Sequence, residues 1–479
     1  MIPLTLAEIA EATGGQPHDI PDPGVRVTGP VVIDSRQAAE GSLFAAFDGE
    51  HVDGHDFAGR AVAAGAVAVL ATRPVGAPAV VVEDVVAALG VLARRSVAAL
   101  GTSVVALTGS AGKTSTKDLI AQLLERLAPT VWTPGSLNNE IGLPLTALRA
   151  DRDTRHLVLE MGARGKGHIR YLTGLTPPRV GVVLNVGSAH IGEFGGREQI
   201  AEAKGEMVEG LPAAVDGGVA VLNGDDPLVR AMAGRTRARV LFFGEGDISP
   251  DAAVRAENVE LTEDGRPSFR LRTPSGCSTV TMRLYGEHHV SNALAAAAVA
   301  HELGMPAEHI AQALSDAGTL SRWRMEVTER ADGVTVVNDA YNANPESMRA
   351  ALRALVAIAG GRTRGSGRRT WAVLGEMAEL GEAALAEHDA VGRLAVRLNV
   401  SKLVAVGGRA AAWLDMGAKN EGSWGEESVH VSDARAAIDL LRSELRPGDV
   451  VLVKASRSAG LEQVAHDLLT DVDGEVAGR

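Results

Sequence analysis

Four apolar runs in the middle of the chain, SVVALTG, HLVLEMG, RVGVVLNVG and GVAVLNGDD, each end in glycine or a polar turn. Runs without polar alternation predict parallel strands buried on both faces. After the first run, KDLIAQLLERL sets Leu119, Ile120, Leu123, Leu124 and Leu127 on one helical face, so strand gives way to helix. A second set, GVTVVNDAY, TWAVLGEMAEL, KLVAVGG and DVVLVKASRS, is spaced by alanine-rich stretches and fills the C-terminal third. The first hundred residues mix short strands, such as RVTGPVVID, with alanine-rich helix, such as DFAGRAVAAGAVAVL. Residues 251–285 instead alternate polar and apolar positions between turn signals (TEDGRPSFRLRTPSGCSTVTMRL), predicting an antiparallel flap or side sheet.

At 479 residues the chain has room for about three such units, each with its own core. The reading is an α/β protein of three domains: a small N-terminal α/β domain (1–100), a central parallel-sheet domain (101–325) and a C-terminal Rossmann-like domain (326–479). A net charge of -13, with no basic run interleaved with aromatics, argues against nucleic acid as a partner. The RTRGSGRR stretch, residues 362–369, reads as a solvated loop. The single Cys277 can form neither an internal disulfide nor a cysteine metal cluster, which fits a reducing compartment. The N-terminal MIPLTLAEIAEATGG lacks a basic start and does not look like a signal peptide, and no apolar stretch reaches the length of a membrane span. A cytoplasmic location is expected. Arginine is the default cation, since only seven of the 47 cationic residues are lysines, so each retained lysine is a candidate for chemistry that needs a primary amine.

The chemistry gathers first at TGSAGKTSTK, residues 108–117, a strand-to-helix turn. Gly109 and Gly112 let the amides of Ser110, Ala111 and Ser115 converge on an anion at a helix N-terminus; Lys113 adds a point charge and the Thr114 hydroxyl can reach magnesium. With Leu107 where the full pattern has glycine, this is a shortened phosphate loop, and on its own an ordinary glycine-rich turn stays open. Ligands of parallel sheets bind beyond the carboxyl ends of the strands. There Glu160 ends one run, His190 follows another, and Lys204 sits in the helical IAEAKGEM, offering oxygen and imidazole ligands around a bound triphosphate.

In order along almost the whole chain, TGSAGKTSTK, GSLNNEIGLPLTAL, LEMGARGKGHI, NVGSAHIGEFGG, EAKGEM, YGEHHVSNALAAAA, SRWRME, NDAYNANPESM, GEMAELGE and VLVKASRS resemble the Mur ligase family, in detail its MurF type. The resemblance implies an ATP-dependent amide ligase that adds D-alanyl-D-alanine to UDP-N-acetylmuramoyl-tripeptide through an acyl phosphate, in peptidoglycan synthesis. Both substrates are small molecules, and a monomer is expected. It further implies that Lys113 holds the β- and γ-phosphates and that Thr114, Glu160 and His190 serve a pair of magnesium ions. Lys204 would act as a carbamate, formed by carbon dioxide on its amine, and ligate the second magnesium. Asn292 would read the adenine, although a helix cap explains it equally well. Arg324 and Asp339 would approach the nucleotide from the third domain. Ser35 and Arg36 would contact the uridine nucleotide, Asn138 and Asn139 the muramoyl-peptide side, and Lys454 and Arg457 the substrate. The family pattern has glycine where Ala455 stands. Two other functions stay open at this point: a sister ligase adding a different amino acid, and a regulatory ATPase built on the same loop.

Overall fold

The computed structural model describes residues 1–49, 52–187, 191–246, 248–360, 368–423 and 425–470. Its strands form three main sheets, one per expected unit, and a short pair between Leu4–Thr5 and Arg26–Val27. Near the N-terminus, five strands run in the order Gln16–His18, Ala79–Val81, Ala68–Ala71, Leu43–Ala45, Val31–Val32, parallel except for the first pair. Two expectations change here. RVTGPVVID is two strands in two different sheets, because Pro30 has no N–H to continue a ladder and Gly29 bonds instead to the Gly41 carbonyl. DFAGRAVAAGAVAVL is helical only over Ala58–Ala63. Gly65, at φ +112°, turns the chain, and Ala68–Ala71 becomes an inner strand of that sheet.

The helix Val85–Leu100, capped by Asp84, links the first and second units. Its Leu89, Leu92 and Ala93 belong to one apolar cluster that runs from Leu6 and Ile9 into Leu143, Leu157 and Ile169. The first sheet is therefore docked on the second through shared core.

The central sheet has nine strands, ordered Gly276–Thr281, Pro267–Thr273, Val254–Leu261, Arg239–Glu245, Val219–Asn223, Val180–Val183, Ser103–Thr108, His156–Glu160, Thr130–Trp132. From Val254–Leu261 onward all are parallel. The antiparallel segment is thus an extension of this sheet rather than a separate flap: Val254–Leu261 continues the parallel ladder, and only the last two pairings are antiparallel, with Pro267–Thr273 the one reversed strand. Helices Lys113–Glu125 and His289–Glu302 cover one face, where Leu119, Ile120, Leu123 and Leu124 are fully buried. Leu127 lies past the helix end and is 39% exposed, so it is not part of that face.

The third sheet runs Glu326–Glu329, Thr335–Asn338, Val450–Lys454, Thr370–Leu374, Lys402–Val406, Ser428–Val431, parallel apart from its first hairpin. Its last-synthesised strand lies inside it. Of the RTRGSGRR stretch, residues 362–367 lie outside the described residues, whereas Arg368 and Arg369 are not solvated as expected. Arg368 donates to Gly448 O and Thr335 Oγ1, both at 2.6 Å, and Arg369 pairs with buried Asp449 at 2.6 Å.

Candidate active site

Strand Ser103–Thr108 and helix Lys113–Glu125 place the phosphate loop at the carboxyl edge of the central sheet. Gly112 is its N-cap at φ +79°, and a Cβ there would stand 2.5 Å from Asn292 Oδ1, so only glycine fits. The Ser110 and Ala111 amides both donate to Asn185 Oδ1 at 2.9 Å, while Asn185 Nδ2 donates to Ala111 O. Asn185 was not among the sequence candidates; its signal was a polar residue closing the adjacent strand run.

Lys113 Nζ donates to Gly109 O at 2.8 Å, and burial pushes its ammonium pKa down against the pull of the Glu160 charge. Thr114 is buried, and its hydroxyl accepts from Arg324 Nη2 at 3.2 Å. Ser115 is partly exposed on the first turn. Arg324 sits between Trp323 and Met325, both left-handed (φ +58° and +50°), and stacks on the Tyr341 ring at 4.2 Å. That strained junction, where the central unit meets the third, aims an arginine at the phosphate loop.

Glu160 is fully buried. Its Oε1 accepts from Asn138 Nδ2 at 2.6 Å and Ser136 Oγ at 3.0 Å, while its Oε2 is buried with no hydrogen-bond partner among the described residues. A buried carboxylate oxygen whose charge is felt by Lys113 of the phosphate loop, together with the loop's threonine hydroxyl, is the donor chemistry that magnesium takes. Asn139 does not join it: its Oδ1 accepts from the Gly142 and Ile141 amides and fixes the start of helix Gly142–Ala147. His190 lies outside the described residues.

Lys204 is 5% exposed on helix Arg197–Glu209. Burial, reinforced by the positive charge of Lys113, holds its pKa well below the usual lysine range, which favours the neutral amine. Lys117, by contrast, is structural: fully buried, it donates to Thr133 O at 2.7 Å and Gly135 O at 2.9 Å and pairs with Asp118.

Asn292 is not a cap, since His288 holds that position. It lies within helix His289–Glu302 and accepts from Thr116 Oγ1 at 3.1 Å. Asp339 accepts from the Met325 amide and pairs at 2.7 Å with buried Lys454, which also donates to Asn342 O. Lys454, expected at substrate, is thus engaged inside the third unit. Arg457 pairs with Glu462 and lies 4.4 Å over the Trp323 ring. Ala455 is fully buried, and a side chain at Gly375 would meet its Cβ at 2.8 Å, so the methyl group fills the space between two strand ends.

The third unit touches the loop directly, because Asn344 Nδ2 donates to Ser110 O at 3.2 Å. A cavity of about 480 Å³ remains at this seam, between Ala111, Asn185 and Arg197 on one side and Glu346, Arg349 and Glu387 on the other. In the first unit a separate cavity of about 470 Å³ is lined by Ser35, Arg36, Phe44, Phe47, Phe57 and Arg60. Ser35 is buried and accepts from Arg60 Nε at 2.9 Å; Arg36 is exposed and pairs with Asp34 at 2.6 Å. Nearby, Asp48, Asp53 and His55 cluster closely enough for a metal. The Thr72 amide donates to His55 Nε2, however, which puts the ring proton on Nδ1 facing Asp53 at 2.7 Å. That trio, joined by Arg73, is a hydrogen-bonded ion cluster.

No helix among the described residues is long and apolar enough to cross a membrane. Residues 107–300 match the Mur ligase middle domain, 323–457 the Mur ligase glutamate ligase domain, and 30–97 the Mur ligase family catalytic domain. A UDP-N-acetylmuramoyl-tripeptide--D-alanyl-D-alanine ligase from Mycobacterium leprae is 50% identical over 98% of this chain and 99% of its own; one from Escherichia coli is 34% identical over the same shares. Among solved structures, MurF from Acinetobacter baumannii superposes with a TM-score of 0.85 at 32% identity, covering 98% of this chain and 99% of that one. MurF ligase from Thermotoga maritima in complex with ADP gives 0.79 at 30% identity, covering 94% and 99%. The chain belongs to the Mur ligase family.

Proposed function

We propose that this chain is the ATP-dependent ligase that adds D-alanyl-D-alanine to UDP-N-acetylmuramoyl-tripeptide in peptidoglycan synthesis. The observation that carries the reading is a phosphate loop bearing half-buried Lys113 and accompanied by buried Lys204 and Glu160, in a chain that matches relatives so named along their full length. A tripeptide carboxylate oxygen attacks the γ-phosphorus of ATP and ADP leaves. The dipeptide amine then attacks the acyl carbon, a proton departs from nitrogen, and the carbon–oxygen bond to phosphate breaks. Lys113 and Arg324 supply fixed positive charge to the transferred group, and the loop amides orient it.

Two magnesium ions fit the donor set of Thr114, Glu160 Oε2 and a Lys204 carbamate, with His190 as a further ligand; bound there, they would neutralise charge between the phosphates. In its neutral form, which burial favours, the Lys204 amine can add carbon dioxide and release one proton, becoming an anion. Asn292 and Asp339 complete the nucleotide site. The first unit (1–100) holds the uridine nucleotide at Ser35 and Arg36, the central unit (101–325) the ATP, and the third (326–479) closes the cleft. Asn138 acts on substrate through Glu160, and Arg457 stands at the third unit's strand ends. The enzyme works in the cytoplasm as a monomer, and its product serves cell-wall growth, and with it cell shape and division.

The test is phosphate release from ATP by the purified protein, with carrier and dipeptide added separately and together. Sustained release only with both, and a pentapeptide product by mass, is expected. Release with neither substrate would mean an ATPase; release with a single amino acid replacing the dipeptide would mean a sister ligase.

A further inference from the structure

Strand Val450–Lys454 lies between Thr335–Asn338 and Thr370–Leu374; the helices that follow these neighbours, Pro345–Ile358 and Ala384–Arg397, pack on one face of the sheet and helix Glu462–Thr470, which follows Val450–Lys454, on the other, so the connections part and leave a crevice at the strands' carboxyl ends. Residues 339–344, 375–381 and 455–457 follow those three strands. The middle segment has no regular structure until Gly381, yet it is pinned from outside. His388, fully buried on helix Ala384–Arg397, accepts from the Met377 amide through Nε2 at 2.9 Å and donates from Nδ1 to Ala384 O at 2.6 Å. Ser456 binds it from the other side: its Oγ accepts from the Ala378 amide at 2.8 Å and its own amide donates to Glu376 O at 2.9 Å. Directly after these pinned residues Glu379 is left-handed, at φ +62°. A non-glycine residue held there costs free energy and persists only where its surroundings enforce it.

The same segment forms the seam with the central unit. A Cβ on Gly192, in helix Ile191–Phe194, would lie 2.7 Å from the Gly381 amide and 3.1 Å from Glu379 O. That short helix leads into helix Arg197–Glu209, which carries Lys204. The segment therefore packs, from the third unit, against the chain that leads into the Lys204 helix.

We propose that His388 is a positioning residue for the incoming dipeptide: by fixing residues 376–381 it shapes the wall of the cleft that presents the dipeptide amine to the acyl phosphate. This rests on the ligase reading above. ATP takes the loop in the central unit and the carrier takes the cavity in the first, leaving the third unit's strand-end crevice for the amine. Ser456 is the second pin of the same wall, so its loss acts in the same direction.

The experiment compares wild type, His388→Leu, His388→Gln and Ser456→Ala. For each, KM is measured for ATP, carrier and D-alanyl-D-alanine, and the acyl phosphate is trapped with hydroxylamine in the absence of dipeptide. His388→Leu is expected to raise the dipeptide KM about tenfold, a modest share of what a small misplacement costs. The KM for ATP and the trapping rate should stay within about twofold. His388→Gln, whose Oε1 can accept from the Met377 amide, should recover most of the loss. Ser456→Ala should raise the dipeptide KM in the same direction, and it carries the test if the leucine variant does not fold. An unchanged dipeptide KM in the folded variants, or a parallel fall in trapping, overturns the proposal. Absence of hydroxamate with wild type would instead sink the ligase reading itself.

Discussion

Lys204 and Lys454 show how differently one residue type is used in this chain. Both are buried, but Lys454 sits against Asp339 whereas Lys204 feels the like charge of Lys113, so only Lys204 is driven firmly toward the neutral amine. Lys204→Ala should therefore lower turnover by about 100-fold or more, the scale expected when an active-site metal ligand is lost. The melting temperature should hold, and short carboxylates should partly rescue activity. Full activity in the alanine variant would remove Lys204 from the mechanism. Lys113, Glu160 and Lys204 were legible in the sequence because the phosphate loop and the strand ends give local patterns. The structural duties of Lys117 and Lys454 were not, since their partners Gly135 and Asp339 lie 18 and 115 residues away with no local signature. Asn185 escaped for the same reason: its partners lie 74 and 75 residues back along the chain.

Strands were easier to read than their surroundings, because apolar runs buried on both faces leave little ambiguity. All eight such runs in the second and third units contain strands. The failures came where alanine is ambiguous between helix and strand, as in Ala68–Ala71, and where a proline divided one run between two sheets. The helix pair of the third unit was equally hidden. Helices Ala384–Arg397 and Arg409–Glu421 approach until a Cβ on Gly392 would lie 1.9 Å from Leu414 O, and one on Gly417 2.1 Å from Asp389 O. Gly392→Ala should thus cost about 3 kcal/mol by overpacking, read as a lower denaturation midpoint. Gly408→Ala, where a Cβ meets nothing within 4 Å, is the control and should change stability little.

At the level of the molecule, the first unit is fastened to the second through continuous core, whereas the third meets the loop through a polar contact, Asn344 to Ser110, with Arg324 at the junction reaching Thr114. The third unit is accordingly the one expected to move, closing on the substrates and keeping water from the acyl phosphate. Solution scattering should change when an ATP analogue and the carrier are added together; identical profiles would argue against closure. The strand order of that unit carries one more consequence. Because Val450–Lys454 sits between strands made more than 70 residues earlier, a nascent chain has every other strand of the sheet outside the ribosome before the one that joins its two halves. The crevice and its Asp339–Lys454 pair can form only after every other strand of the sheet has been made, so a chain cut short before Val450 is left with two unjoined half-sheets and exposed edges rather than a weakened enzyme.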